Sequence, residues 1–243
     1  MAAFLLSTTA LAVPVRAYGA PTAAVPVPVL IVGGSAAVGW VDDTGLGYVE
    51  RGFLRYGEQA KMDFTFTNHA IPGARVVNPL VAHRYAGWVS ATGPGGMVVL
   101  AWGLLNDLRL KTPLPAVKRR IRQQIRVALG HSDLVILVTP PATRATFERE
   151  RPTERRMVRA EIEAARTFHS RRVYIADVFD RETAYLVAHH LAYRRYMAGR
   201  WDPNTRGHAL AGRILGRELR EDLPAARVVR QVRRLMAAGE RRS

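Results

Sequence analysis

The chain has 243 residues, of which 48% are hydrophobic, and a formal net charge of +16 carried mostly by arginine; this length suits one ordinary domain with extensions, or at most two small domains. It contains no cysteine, which excludes disulfides, thiolate metal sites and cysteine nucleophiles and leaves the compartment open. So positive a field attracts polyanions, anionic surfaces or an acidic protein neighbour, yet no nucleic-acid-binding motif accompanies it; a GC-rich genome or a hot habitat gives the same arginine-rich composition with no partner at all.

Residues 1–26 read as an Ala/Pro-rich arm. Ala2–Val13 is apolar and Ala17-Tyr18-Gly19 resembles a signal cleavage site, while no Lys or Arg precedes the apolar stretch. A secretory leader and an arm docked on its own chain or on a neighbour both fit, and both favour a secreted or assembly-associated protein, such as one in a virion, over a free cytoplasmic one. No run approaches the ~20 apolar residues of a membrane span.

Five short apolar runs come next, over residues 26–34, 62–70, 96–103, 132–141 and 171–179. Four are rich in β-branched residues, as strands buried on both faces tend to be. The run over 62–70 alternates and suits an edge strand. Helical patterns lie between them at about 48–60, 74–91, 113–130 and 153–170, and a further helix covers Ala209–Leu219, after Asn204 and Gly207. Pro113 and Pro115 suit a helix start. Strand–helix alternation predicts an α/β fold: a single three-layer domain over residues 27–222, with a five-stranded parallel sheet and helices on both faces. Residues 223–243 form a basic segment in which Val228, Val229, Val232 and Leu235 make an apolar stripe among arginines. It reads as a helix closing the domain, or as an amphipathic helix lying on a partner.

In a parallel sheet, sites form at the carboxyl ends of the strands. Ser35, Asn68, Asn106 and Asp177 all end or follow predicted strands, so they gather along one rim. Four motifs lie on this frame: Gly34-Ser35-Ala36-Ala37-Val38-Gly39; Asn68-His69-Ala70-Ile71-Pro72-Gly73; Trp102-Gly103-Leu104-Leu105-Asn106-Asp107; and Trp201-Asp202-Pro203-Asn204-Thr205-Arg206-Gly207-His208. In this order they resemble the four motif blocks of the SGNH (GDSL-type) hydrolases, and the resemblance spans residues 27–218. It implies a flavodoxin-like fold and ester hydrolysis, with an acyl ester of a sugar, lipid or cell-wall polymer as substrate and no cofactor or metal. It also implies that Ser35 is the nucleophile, with Gly73 and Asn106 completing the oxyanion hole. The chemistry suits those residue types. A serine at a strand-to-helix turn exposes its hydroxyl beside its own N–H, Gly73 brings a backbone N–H close without a Cβ, and Asn106 offers an amide. One such donor is worth about 3 kcal/mol in the transition state. Taken singly, Ser35 and Asn106 are equally well read as helix caps and Gly73 as a turn.

The chain departs from that pattern in three places. Gly33-Gly34 stands where Gly-Asp is usual, and the glycine of the third motif sits one place early. In the last motif Asp202 occupies the position of the catalytic His, and Gly199 that of its partner Asp. A carboxylate is intrinsically the weaker base, with a reference pKa of about 3.9 against about 6.5 for imidazole, a difference worth roughly 3.5 kcal/mol of proton affinity. The remaining candidates for a base are His69, beside the second motif; His208, which matches the family's second His; and His189 or His190, just before the last motif. No H-x-x-x-H or H-E-x-x-H spacing points to a metal. Two functions therefore stand open: a serine ester hydrolase with a weakened or displaced base, and an inactive binding or structural module of that fold, docked in a larger assembly through its arm and basic surface.

Overall fold

The computed structural model describes residues 16–17, 25–93, 95–131, 134–223, 225 and 228–230. One six-stranded sheet organises them. Strands β1 (Arg16–Ala17), β2 (Val25–Gly33), β3 (Met62–Asn68), β4 (Met97–Ala101), β5 (Leu134–Val138) and β6 (Val173–Ala176) lie in the spatial order β1-β3-β2-β4-β5-β6. The five strands expected from the sequence, β2 to β6, all run parallel. Their order places β3, the second parallel strand along the chain, outside β2 and the others on the far side of β2, which is the flavodoxin-like winding. The sheet has one more strand than expected. The two-residue β1 pairs antiparallel with β3, Arg16 opposite Phe66 and Ala17 opposite Thr65, and so covers the outer edge of β3.

The apolar runs are continuous because both faces of the sheet are covered. On β2, Val27, Val29 and Ile31 face one core while Leu30 and Val32 face the other, and β4 and β5 divide the same way. The first core is closed by α2 (Tyr48–Ala60) and α9 (Thr205–Asp222), the second by α3 (Pro79–Thr92), α5 (Leu114–His131) and α7 (Arg151–Arg166). β3 alternates instead. Its Met62, Phe64 and Phe66 are buried against Phe53 and Tyr56 of α2, and the intervening residues are half-buried.

Four helices agree with the sequence periodicity to within a few residues. The helix expected over 74–91 starts later, at Pro79. Asn78 caps it by accepting from the N–H groups of Leu80 and Val81, so residues 74–78 belong to the loop before it. The sequence reading did not resolve α8 (Val178–Ala188), which Asp177 caps by accepting from Asp180 N–H, nor the single turns α1 (Ser35–Val38), α4 (Leu105–Arg109) and α6 (Arg144–Phe147).

Most of the arm, residues 1–15 and 18–24, lies outside the described residues, as do residues 231–243 of the basic segment. At the near end of that segment, Val228 is fully buried in the first core, Val229 packs on it, and the Tyr56 hydroxyl donates to Leu223 O. This portion closes the domain. Among the described residues, no helix is long and apolar enough to cross a membrane.

Candidate active site

The winding of the sheet reverses between β2 and β4, and a crevice opens there outside the carboxyl ends of the strands. Gly33 ends β2 opposite Ala101, the last residue of β4. A Cβ on Gly33 would lie 2.1 Å from Ala101 O, so only glycine lets the strands stay paired to their ends. Gly34 donates to the same carbonyl, and its own carbonyl accepts from Ala37 and Val38 to start α1. Ser35 is the first residue of that turn, where a backbone N–H has no acceptor within the turn. Its half-buried hydroxyl forms no hydrogen bond among the described residues. Gly39 stops the turn at φ 81°. Gly34 is not required by the backbone: φ is −107°, and a Cβ would meet nothing closer than 3.6 Å.

Past β3, the chain is tied back to this turn. Asn68 donates to Ala37 O and to Glu50 Oε1 and accepts from Ala70 N–H, while Ile71 N–H donates to Gly33 O. Asn68 thus holds two loops together and does not line the crevice. The loop then turns at Gly73, with φ 77° and nothing within 4 Å of a notional Cβ. Beyond Gly73 the loop is clamped by α4. The buried Asp107 accepts from Val76 N–H at 2.9 Å, and Asn106 Nδ2 lies 3.5 Å from Ala74 O. Burial pushes the Asp107 carboxyl above the usual range, against the lowering effect of that bond.

The last motif forms a tight loop before α9. Asn204 caps α9 by accepting from Gly207 N–H and donates to Arg195 O. A Cβ on Gly207 would lie 2.2 Å from Tyr196 O. His208 is fully buried, with Nε2 3.2 Å from Trp40 O. The loop so held carries Trp201 and Asp202 to the crevice.

These loops enclose a cavity of about 270 Å³ that Ser35, Gly73, Asn106 and Asp202 line together. Trp40, 52% exposed, borders it, as do Trp201 and Arg109. Trp201 belongs to the last motif, whereas Trp40 and Arg109 carried no motif signal in the sequence. Arg200 lies 5.5 Å over the Trp201 ring and is itself paired with Glu150 at 2.6 Å, so the indole is backed by a fixed cation.

The structure brings none of the four candidate histidines into this cavity. His69 stacks on Trp88, ring centroids 4.3 Å apart, and burial with nearby Arg84 lowers its pKa. Burial also lowers the pKa of His208, which holds the Trp40 carbonyl. His189 ends α8 against Tyr185, His190 follows it with φ 50°, and both are exposed. Among the described residues, Asp202 is the one carboxylate lining the cavity. Asp177, expected on the same rim, accepts from the Thr139 hydroxyl and caps α8 instead. No group of three or more His, Asp and Glu placed to hold a metal ion occurs among the described residues.

No protein-family model and no curated protein matches the chain. Solved structures do. Axe2, an acetylxylan esterase from Geobacillus stearothermophilus, superposes with a TM-score of 0.63 at 19% identity, covering 81% of this chain and 95% of its own. A lipase/acylhydrolase from Enterococcus faecalis gives 0.63 at 19%, covering 80% and 96%. A member of the lipolytic G-D-S-L family from Veillonella parvula gives 0.60 at 19%, covering 80% and 97%. The chain has the SGNH (GDSL-type) hydrolase fold. The fold expected from the four motifs is therefore the one observed, and these neighbours are matched over nearly their whole length.

Proposed function

We propose that the protein is a serine ester hydrolase of low intrinsic rate. In this reading Ser35 Oγ attacks the acyl carbon of an ester held in the cavity. The carbonyl oxygen becomes an oxyanion facing the N–H groups of Ser35 and Gly73 and the amide of Asn106. The hydroxyl proton passes to Asp202, directly or through one water, and returns to the departing alkoxide. Water then releases the acyl group by the reverse sequence, with Asp202 again accepting its proton. The observation that carries the reading is the convergence of Ser35, Gly73 and Asn106, from three separate strand ends, on one cavity. Structural neighbours described as an acetylxylan esterase and a lipase/acylhydrolase support an acyl ester as substrate.

Low rate is a consequence of the base. With carboxylate in place of imidazole, oxyanion stabilisation and substrate binding carry most of the acceleration, about 10³–10⁴-fold over water in triad enzymes stripped of their base. The absence of any histidine from the cavity lining also favours a second reading: a binding or structural module that keeps the fold and docks in a secreted or particle-associated assembly.

Hydrolysis of p-nitrophenyl acetate by the wild type, Ser35→Ala and Asn106→Ala separates the two. A slow hydrolase loses its rate above background in Ser35→Ala, and in Asn106→Ala loses about 10²-fold or falls to background. It also shows an acetyl adduct on Ser35 by mass spectrometry. Equal rates in all three with no adduct leave the module reading.

A further inference from the structure

A second concavity, of about 200 Å³, opens where α2 lies against α9, and it shares no lining residue with the cavity at Ser35. Arg55 and Gln59 of α2 and Arg213, Arg217 and Arg220 of α9 form its walls around Gly216. A Cβ on Gly216 would sit 3.0 Å from Arg55 Cβ and 3.0 Å from Gly52 O, so the glycine lets the two helices approach closely where the arginines line the hollow. Arg213, Arg217 and Arg220 are spaced i, i+4 and i+7, one face of α9 over roughly 10 Å of axis. All four arginines line the open hollow, and among the described residues none is in an ion pair. Among the described residues, Arg220 donates only to Gln59. The acidic residues at the end of α9, Glu218, Glu221 and Asp222, are paired with Arg181 on α8 and not with the groove arginines.

Four like charges set around one hollow repel one another, and a multivalent anion in the hollow removes that repulsion. Guanidinium forks match phosphate oxygens two at a time. Among the described residues, the groove has no aromatic residue on which a base could stack. The arginines line a concave hollow, which suits an inserted chain better than the flat face of a bilayer does. We propose that the α2–α9 groove binds the linked phosphates of a flexible chain, a nucleic-acid strand or a polyphosphate, without reading sequence.

The test is anisotropy of a dye-labelled oligothymidylate between about 50 and 200 mM salt. It compares the wild type, Arg217→Gln/Arg220→Gln, and a control of equal charge loss, Arg119→Gln/Arg126→Gln, on α5 over the other face of the sheet. Circular dichroism verifies the fold of each. The groove pair weakens binding at least tenfold and lowers the salt slope by about 1.4, two single-strand phosphate contacts, while the control weakens it less than threefold. Unlabelled polyphosphate displaces the probe and polyglutamate of equal charge does not. Tighter binding per phosphate by one polymer assigns the source. Equal weakening in the two double variants, displacement by polyglutamate, or no binding by the wild type at the lower salt overturns the proposal.

Discussion

Glu182 gives the most direct test of how the site is supported. It lies on α8 and is fully buried; Oε2 accepts from Ala142 N–H at 2.7 Å, and Oε1 has no partner among the described residues. That bond anchors the loop after β5, whose Pro140 and Pro141 line a recess behind Ser35. Burial raises the Glu182 pKa from 4.5 to about 8, against smaller lowering effects of Ala142 N–H and Arg213. The folded chain therefore keeps a proton there that the unfolded chain releases above about pH 4.5. Between those two values the unfolded state binds fewer protons, so stability falls as pH rises. About 3.5 pH units at roughly 1.36 kcal/mol each gives a loss of at most about 5 kcal/mol, of which about 4 is gone by pH 8. Glu182→Gln keeps an oxygen for Ala142 N–H and cannot ionise. Urea unfolding should give nearly equal midpoints for wild type and variant near pH 4.5, with the variant higher by about 1 M or more at pH 8, taking a slope near 3 kcal/mol per M. A midpoint difference that stays constant from pH 4.5 to 8 refutes the assignment of a protonated Glu182. Glu154, which burial also raises to about 8, acts in the same direction, so the wild type itself should lose stability across this range.

The same geometry fixes two further outcomes. Asp202→His puts an imidazole on the cavity wall and should raise kcat/KM for p-nitrophenyl acetate by about 10–10³-fold, with a pH profile rising through about 6.5; an unchanged rate in a folded variant removes Asp202 from the proton path. Gly33→Ala should cost several kcal/mol or prevent folding because of the 2.1 Å approach to Ala101 O, whereas Gly34→Ala, with 3.6 Å of clearance, should cost less than about 1 kcal/mol; thermal unfolding of both variants checks the contrast.

The five parallel strands were legible because each is an apolar run covered on both faces, and the helices because their periodicity was long enough to count. What escaped the sequence was local. The two-residue β1 and the four- or five-residue turns α1, α4 and α6 are too short to carry a period. The start of α3 depends on the Asn78 cap and Pro79, which a hydrophobic pattern does not register. At the site, Ser35, Gly73, Asn106 and Asp202 were named from motifs. Trp40 and Arg109 were not, since each reaches the cavity from a loop or turn whose direction only the folded chain sets. The histidines show the opposite difficulty. His69 and His208 sit at suggestive places in the sequence, but stacking on Trp88 occupies one ring and the Trp40 carbonyl the other.

Much of the motif frame serves the fold rather than the chemistry. In the final motif Asn204 caps a helix, Gly207 permits a close backbone contact and His208 braces a loop, so all three serve the fold whether or not a proton is transferred. Asn68 and Asp107 likewise fasten loops. Their presence requires no catalysis. Ser35 and Asn106 are different. The serine hydroxyl bonds to nothing among the described residues, and the amide of Asn106 makes one contact at 3.5 Å, the outer limit of a hydrogen bond. An alanine would serve the fold about as well at either place. Polar groups that line a cavity and are used so little by their own chain suit a molecule that enters it, which supports the proposed hydrolase more strongly than the retained motif frame does.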